Sequence, residues 1–598
     1  MTFKKFSEYL SKLESTSSRL AMTEILSDLF THAHEDEIGS MCYFLQGRVA
    51  PLFEDIEFGI ADKFMIRAVA TAYGTQESQI LSSFKKHGDL GIAAQENYRV
   101  SLFGSHAKEL SVVEVFNKLK ELALVKGTGS QEIKIGLLSE ILTNVDALSA
   151  RFIVRIPLDK LRLGFSEMTI LDALSWMISK DKSNRVKLEE AYNVRPDIGS
   201  IAEIVKKEGM KGLSHLSATV GAPILPALCQ RIPTAEEMIE KMGKVAVEPK
   251  YDGERVQLHY AKSKIKNQKS KIDAFSRNLE RIESMFPELQ KIGDSLRCES
   301  VVLDSEVVGL NPKTGAFIPF QETMTRKRKY NISEAVESVP IVFFVFDMLV
   351  KDGKDLLSTP FCERRAILEK TIVSGKLLKL SPQILTDDPE KIRQYHDEQR
   401  RKGLEGIVVK KWESPYEPGR KGFSWVKLKE EEGKTGKLTD TIDAVVMGYT
   451  SGEGKRTEFG IGQMLLGVKK DEPRSDRGEE IVTVSKLGSG TTEEELGILF
   501  TMLKKLRVKT MPKEYALVDK IYIPDFWVRP SVVLEIAGDD LTVSGKHGAG
   551  IAVRFPRLVK IREDKSVREI TTVKELQQMY HNQSRLQREG LHGGQAKI

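Results

Sequence analysis

The stretch EPKYDGERVQLHY, Glu248 to Tyr260, sets a lysine two residues ahead of an Asp-Gly pair, with apolar residues alternating on both sides. That spacing predicts a strand ending at Lys250 and a tight turn directly after it. A solvated lysine beside a hairpin turn built on φ > 0 residues needs no chemistry. The chemical alternative is a nucleophile, an amine held at a sheet edge to attack the α-phosphate of a nucleotide. An amine attacks only when neutral, so burial or nearby cations must lower its pKa, and Arg255 is the nearby candidate. The departing pyrophosphate also needs positive charge and a divalent metal. Carboxylates and further basic residues must therefore follow Lys250 in the chain.

They do follow. The run WVKLK alternates, which puts Trp425, Lys427 and Lys429 on one strand face and Val426 and Leu428 on the other. Two ammonium groups on that face could converge on one phosphate or could simply meet water. Glu306 lies in the strand-like VLDSEVV and Glu405 opens EGIVVK. A strand end and a turn residue are their ordinary roles, and hard oxygen ligation of Mg²⁺ is the chemical one. Phe346, inside the apolar FFVFDML, reads as core unless its ring faces a pocket.

Taken in chain order, KYDGER (250–255), FSRN (275–278), VLDSEVV (302–308), FFVFDML (343–349), EGIVVK (405–410), WVKLK (425–429) and RFPRLVKIREDK (554–565) resemble the nucleotidyltransferase motifs of ATP-dependent DNA ligases, most closely the archaeal and eukaryal replicative type. The stretches ARFIVRIPLDKLRLGFSEMTILDAL (150–174) and AYNVRPDIG (191–199) are similar to the DNA-binding domain of that family, so the resemblance covers nearly the whole chain. It implies an enzyme that seals nicks in duplex DNA by three transfers. Lys250 attacks ATP to give lysyl-AMP and pyrophosphate, AMP passes to the 5′-phosphate of the nick, and the adjacent 3′-OH displaces AMP.

The resemblance also implies roles for single residues. Glu248 lies near the polar edge of the base, Phe346 stacks on the adenine, and Arg255 and Arg277 belong to the nucleotide site, Arg277 near phosphates or ribose. Glu306 serves the ribose and a metal ion, Glu405 the metal, and Lys429 the α-phosphate with Lys427 beside it. Arg554, Arg562, Asp564 and Lys565 visit the site during the first step. ATP and Mg²⁺, with Mn²⁺ as a substitute, are the implied cofactors. Nicked double-stranded DNA is the implied partner of a monomer, and a sliding clamp is a further candidate.

Two features depart from the family pattern. Phe423 stands where archaeal relatives often carry an arginine, and EEEGKTGKL replaces the usual continuation after WVKLK. RNA ligases and mRNA-capping guanylyltransferases share the lysine, the Asp-Gly turn and a barrel, but the long helical N-terminal region argues against both. A catalytically silent nucleic-acid clamp is the rival outside enzymes.

Three bodies are expected to carry these residues. Residues 1–218 read as an all-α DNA-binding domain, with Leu138, Ile141, Leu142 and Val145 recurring on one helix face. Residues 219–435 read as an α+β adenylation domain that begins with the linker TVGAPILP, whose prolines and glycine disfavour helix. Short strand candidates separated by glycine-rich or charged turns over 436–580 suggest a β-barrel of OB-fold type, and 581–598 a basic mobile tail. Arg151 and Arg155 at i and i+4, with Lys160 and Arg162 just beyond, are expected to meet DNA phosphates, as is the tract RKRKY at 326–330.

The four cysteines form no CxxC pair, which suggests neither a zinc site nor a disulfide framework and fits a reducing cytoplasm. No run of about 18 apolar residues predicts a membrane span. A net charge of +6 permits basic patches without deciding a partner.

Overall fold

The computed structural model describes residues 1–99, 109–161, 163–232, 234–263, 271–318, 320–326, 338–373, 375–419, 422–428, 441–452, 459–471, 480–488, 490–516 and 518–588. The chain divides into two compact units, Met1–His396 with Leu404–Leu428, and Asp397–Gly403 with Lys429–Ile598.

The first unit opens on helices running from Phe3–Glu14 to Ile198–Glu208. Polar residues start them. Ser111 and Glu114 form a capping box, and Asp146 accepts from the backbone N–H groups of Leu148 and Ser149. The apolar faces meet in one core that buries Phe6, Phe44, Leu138, Leu142, Ile153 and Leu171.

Three of the cations expected to face DNA lie in this helical region as structural partners. The Arg155 side chain is only 2% exposed and donates to Asp89 at 2.6 Å and to Glu14 at 3.1 Å. Arg151 reaches Glu14 at 2.6 Å, and Lys160 reaches Asp62 at 3.1 Å. A buried guanidinium must be paired because an uncompensated charge there is too costly. The carboxylates that pair these residues come from elsewhere in the chain, which i,i+4 spacing cannot reveal. Arg162 lies outside the described residues.

The segment 219–226 is strapped down rather than free. Gly221 N–H donates to His259 Nδ1 at 2.9 Å, Ile224 N–H to Gln257 Oε1 at 2.8 Å, and Leu225 N–H to the Asn193 carbonyl at 2.9 Å. Burial pushes the His259 imidazole down to about 3, helped by Arg281 and Lys271. The ring is therefore neutral, accepts at Nδ1, and donates from Nε2 to Gln257 Oε1 at 3.0 Å.

Two sheets follow. Strands β1 (Gln230–Arg231), β2 (Val245–Lys250), β3 (Glu254–Ala261), β4 (Lys271–Ser276), β5 (Ser300–Gly309), β6 (Ile341–Lys351), β7 (Lys354–Asp355), β8 (Leu378–Leu380), β9 (Ile384–Thr386), β10 (Gly406–Lys411) and β11 (Trp425–Leu428) build them. One has the order β1-β11-β10-β2-β9 and the other β4-β3-β5-β6-β7, with β8 also paired to β6. β2 and β3 belong to different sheets, so the Asp-Gly pair is not the hairpin turn that the sequence predicts.

In the second unit, β12 (Ile442–Tyr449), β13 (Met464–Lys469), β14 (Ile481–Leu487), β15 (Arg507–Val508), β16 (Phe526–Val528), β17 (Val533–Ala537), β18 (Asp540–Val543), β19 (Ile551–Arg554) and β20 (Arg557–Ile561) confirm a strand-rich region. Its main sheet runs β14-β13-β12-β16-β15, with β17 joining β12 to β20. Among the described residues this pairing is an open path, not the closed barrel expected. A helix over Val573–Arg588 extends into the expected tail. It starts at a reciprocal cap between Thr572 and Glu575 and packs Val573, Leu576, Met579 and Tyr580 against the apolar core of the second unit. Residues 589–598 lie outside the described residues.

Candidate active site

Alternation along β2 sends Val245 and Val247 into an apolar core with Ile407, Val409, Val426 and Leu428. Glu248 and Lys250 must therefore share the opposite face. In the antiparallel register Glu248 lies opposite Val408 and Lys250 opposite Gly406, while Lys410 and Val408 lie opposite Trp425 and Lys427 on β11. That one face thus presents Glu248, Lys250, Lys410, Trp425 and Lys427.

The second sheet supplies the rest. Arg255 on β3 pairs in register with Glu306 on β5. Across β5 and β6, Asp304 pairs with Asp347 and Ser305 with Val345, so Phe346 is the extra residue of a β-bulge. Bulges re-aim side chains, and this one sets the Phe346 ring against Trp425 at a centroid separation of 5.8 Å and an angle of 75°.

Lys250 Nζ lies 2.8 Å from Glu405 Oε2. Burial favours the free amine, but Glu405 and then Glu306 outweigh it and hold the lysine above its ordinary value. Burial also raises the Glu306 carboxyl to about 7, against the pull of Lys250 and Arg255. Arg255 is thus not what lowers the Lys250 pKa, as the sequence suggested. Its guanidinium is taken by Asp304 at 2.6 and 2.9 Å, by the Ala227 carbonyl at 2.5 Å and by the Tyr416 hydroxyl at 3.2 Å. Tyr416 in turn donates to Asp304 at 2.8 Å.

Gly253 has no positive φ. It is glycine for want of space: a Cβ there would stand 2.3 Å from the Val307 carbonyl oxygen and 3.0 Å from Glu306 Cγ. The turn passes β5 closely enough to bring Lys250 and Glu306 together. Tyr251 anchors it by stacking on Phe344 at 4.3 Å and 11°.

Beside Lys250 lies a second buried pair. Lys410 donates to Glu248 Oε2 at 3.0 Å and to the Phe346 carbonyl at 2.9 Å. Its ammonium is 4.3 Å from the Trp425 ring centroid and 4.6 Å from that of Phe346. Arg277 is exposed and lines a small cleft with Arg255, Asp304 and Ser276. Lys427 is half-buried and, with Lys250, Arg255 and Lys410, acts electrostatically on the thiol of Cys229. Phe423 is 40% exposed, with the Lys241 ammonium 5.0 Å from its ring centroid. Lys429, Arg420, Lys421 and 327–330 lie outside the described residues, while Arg326 is buried and paired with Glu288.

The structure thus gathers Lys250, Glu248, Arg255, Glu306, Phe346, Glu405 and Lys427 where the two sheets meet. Lys410, Asp304, Tyr416 and Cys229 join them without having been singled out. Only Lys410 carried a sequence signal, as a cation on the same face as Glu248 if the two strands pair in this register.

Residues 2–175 match the DNA ligase N terminus family, 226–429 the ATP dependent DNA ligase domain and 457–565 the ATP dependent DNA ligase C terminal region. A probable DNA ligase of Dictyoglomus thermophilum is 40% identical over 98% of both chains. A DNA ligase of Pyrobaculum calidifontis is 35% identical over 98% of this chain and 100% of its own. The chain belongs to the ATP-dependent DNA ligases. The solved structure Pmar-Lig_PreS3, 17% identical, aligns with 93% of this ligase and 99% of its own chain at a TM-score of 0.53, which supports the fold.

The last motif of the ligase lies in the second unit, locked by ion pairs. Arg562 contacts Asp564 at 2.7 Å, Asp443 at 3.2 Å and Glu535 at 3.3 Å, and Lys565 contacts Asp443 at 2.5 Å. Among the described residues no group of three or more His, Cys, Asp or Glu side chains forms a metal cage, and no helix is long and apolar enough to cross a membrane.

Proposed function

We propose that Lys250 is the residue that carries AMP in this ligase. The single observation behind this reading is its placement: an ammonium at a strand end, 2.8 Å from Glu405 and within electrostatic reach of Glu306, where the two sheets meet. The proton that must leave Nζ before attack has acceptors at hand. Glu405 is in contact, and Glu306, with its carboxyl near 7, can hold a proton at neutral pH. The neutral amine then attacks the α-phosphorus of ATP, the bond to pyrophosphate breaks, and a phosphoramidate is left on Nζ.

Around that step Glu248 meets the edge of the adenine, Phe346 its face, and Lys427, Lys429, Arg255 and Arg277 the phosphates and ribose. Glu306 and Glu405 fit a Mg²⁺ ion, because a phosphate-bound Mg²⁺ needs only one or two protein carboxylates and takes its other oxygens from phosphates and water. Such an ion, or Mn²⁺ in its place, supplies charge neutralisation at the phosphates. We take the second unit as an OB-type domain whose Arg554, Arg562, Asp564 and Lys565 serve the first transfer. Residues 1–218 and 219–435 serve as DNA-binding and adenylation domains of a monomeric, cytoplasmic enzyme that encloses nicked duplex DNA and takes a sliding clamp as partner. Domain motion about the DNA accompanies each step.

Incubation with α-³²P-ATP and Mg²⁺ tests the reading. The wild type is expected to retain acid-labile label on the peptide containing Lys250, and Lys250→Ala to retain none while melting normally. Label mapped to another side chain would overturn it.

A further inference from the structure

The pair Glu248 and Lys410 is more elaborate than binding an adenine edge requires. Both residues are almost completely enclosed, 2% and 1% exposed. Lys410 spends its donors on Glu248 Oε2 and the Phe346 carbonyl and sits against three rings, those of Trp425, Phe346 and Phe361. A second cation, Arg365, has Nη1 3.9 Å from Glu248 Oε1 while its other nitrogens bind Glu369 and the Ser381 carbonyl. Glu248 Oε1 itself has no hydrogen-bond partner, although it is buried. A buried acceptor left open, two residues from Lys250 on the same strand face, awaits a donor.

We infer that Lys410 is a positioning residue for base selection: it keeps Glu248 ionised, hence acceptor-only, so that the site takes a purine with a 6-amino group and rejects one with a 6-oxo group. The inference rests on the reading above that Glu248 meets the base. The chemistry is one of hydrogen-bond parity. An ionised carboxylate accepts from the amino group of adenine but opposes its lone pairs to the O6 of hypoxanthine. A protonated carboxyl donates, and would accommodate O6 equally well. A carboxylate this deeply buried takes up a proton unless a cation stays beside it. Burial, with Asp347 adding to it, holds the Glu248 carboxyl above its ordinary value and burial holds the Lys410 ammonium below its own, so Lys410 followed by Arg365 is what opposes protonation of Glu248, and loss of Lys410 removes the larger of the two. Sites that match a hydrogen-bond pattern discriminate strongly because the wrong partner leaves buried groups unpaired.

The test compares self-labelling with α-³²P-ATP and α-³²P-ITP, each as kcat/KM, from pH 6 to 8.5 in the full chain. The wild type should prefer ATP with a ratio independent of pH. Lys410→Met should lower that ratio at least about tenfold, more at pH 6 than at pH 8.5, while still labelling at Lys250. Lys410→Gln, which keeps a polar donor and guards against misfolding of the methionine variant, should do the same, and Lys410→Arg should restore the ratio. Glu248→Gln separates the two claims. If Glu248→Gln lowers the ratio and the uncharged Lys410 variants do not, the role of Lys410 is overturned. If Glu248→Gln leaves the ratio unchanged, the reading of Glu248 falls, and the inference with it.

Discussion

Glu405 lies 2.8 Å from the Lys250 ammonium through its side chain, and its own backbone N–H donates to the Lys250 carbonyl at 3.1 Å. Strand pairing and ion pairing therefore fix the two residues against each other twice. The nucleophile is held as a cation by the carboxylates beside it, so its deprotonation is part of the reaction.

That arrangement sets a pH dependence. Below about 7 Glu306 is protonated and cannot take the proton from Lys250; above it the carboxylate is ionised and can. At sub-saturating Mg²⁺ the single-turnover rate of self-adenylation is expected to rise with pH through an inflection near 7, and saturating Mg²⁺, which competes with the proton on Glu306, should move that inflection to lower pH. Glu306→Gln should be slow at every pH, without that inflection. A wild-type rate that falls between pH 6 and 8 would rule out this proton path.

Gly253 predicts a steric effect without a conformational one. A Cβ at this position would collide with the Val307 carbonyl, so Gly253→Ala must push β5 and Glu306 away from Lys250. A displacement approaching 1 Å costs on the order of 100-fold in rate. Self-adenylation should fall by about that much, and the melting temperature should fall too, because the collision is with backbone and overpacking of that kind costs about 1–3 kcal/mol. Labelling kinetics of the purified variant check it.

Arg155 serves as a test of the helical region. Replacing it by methionine removes the guanidinium that pairs with buried Asp89 at 2.6 Å, a loss of about 3–5 kcal/mol in stability. The slope of log affinity for nicked duplex against log salt should stay as in the wild type, since no phosphate contact is removed. A slope shallower by about one, measured by fluorescence anisotropy, would return Arg155 to the DNA surface.

The Arg364–Asp347 pair sits directly behind Phe346, with neither side chain exposed. Arg364 also donates to the carbonyls of Thr359 and Ser414. Arg364→Leu should destabilise the first unit by about 3–5 kcal/mol in chemical unfolding, and more than Asp347→Asn, which keeps a hydrogen-bonding group of the same shape.

Motif chemistry was the most legible part of the chain. The strand ending at Lys250, the alternation of Trp425 and Lys427 against Val426 and Leu428, and the helical face of Leu138, Ile141 and Leu142 follow from period and residue type, which are local properties. Partner choice was not legible. Asp89 for Arg155, Asp304 for Arg255 and Asp443 for Lys565 are separated from their partners by 66, 49 and 122 residues. The Asp-Gly turn misled for the same reason. Its glycine answers to Val307 on another strand and not to its own backbone conformation.

What the sequence alone determined is the set of chemical groups and their order: one amine before a turn, carboxylates and lysines downstream, and the strand or helix period that presents each. Tertiary structure decided which charges meet. It raised Glu306 to about 7, kept Lys250 protonated beside Glu405, and enclosed Lys410 against Glu248. Ionisation depends on burial and on distances of a few ångströms between groups far apart in the chain, and only the packing of two sheets sets those.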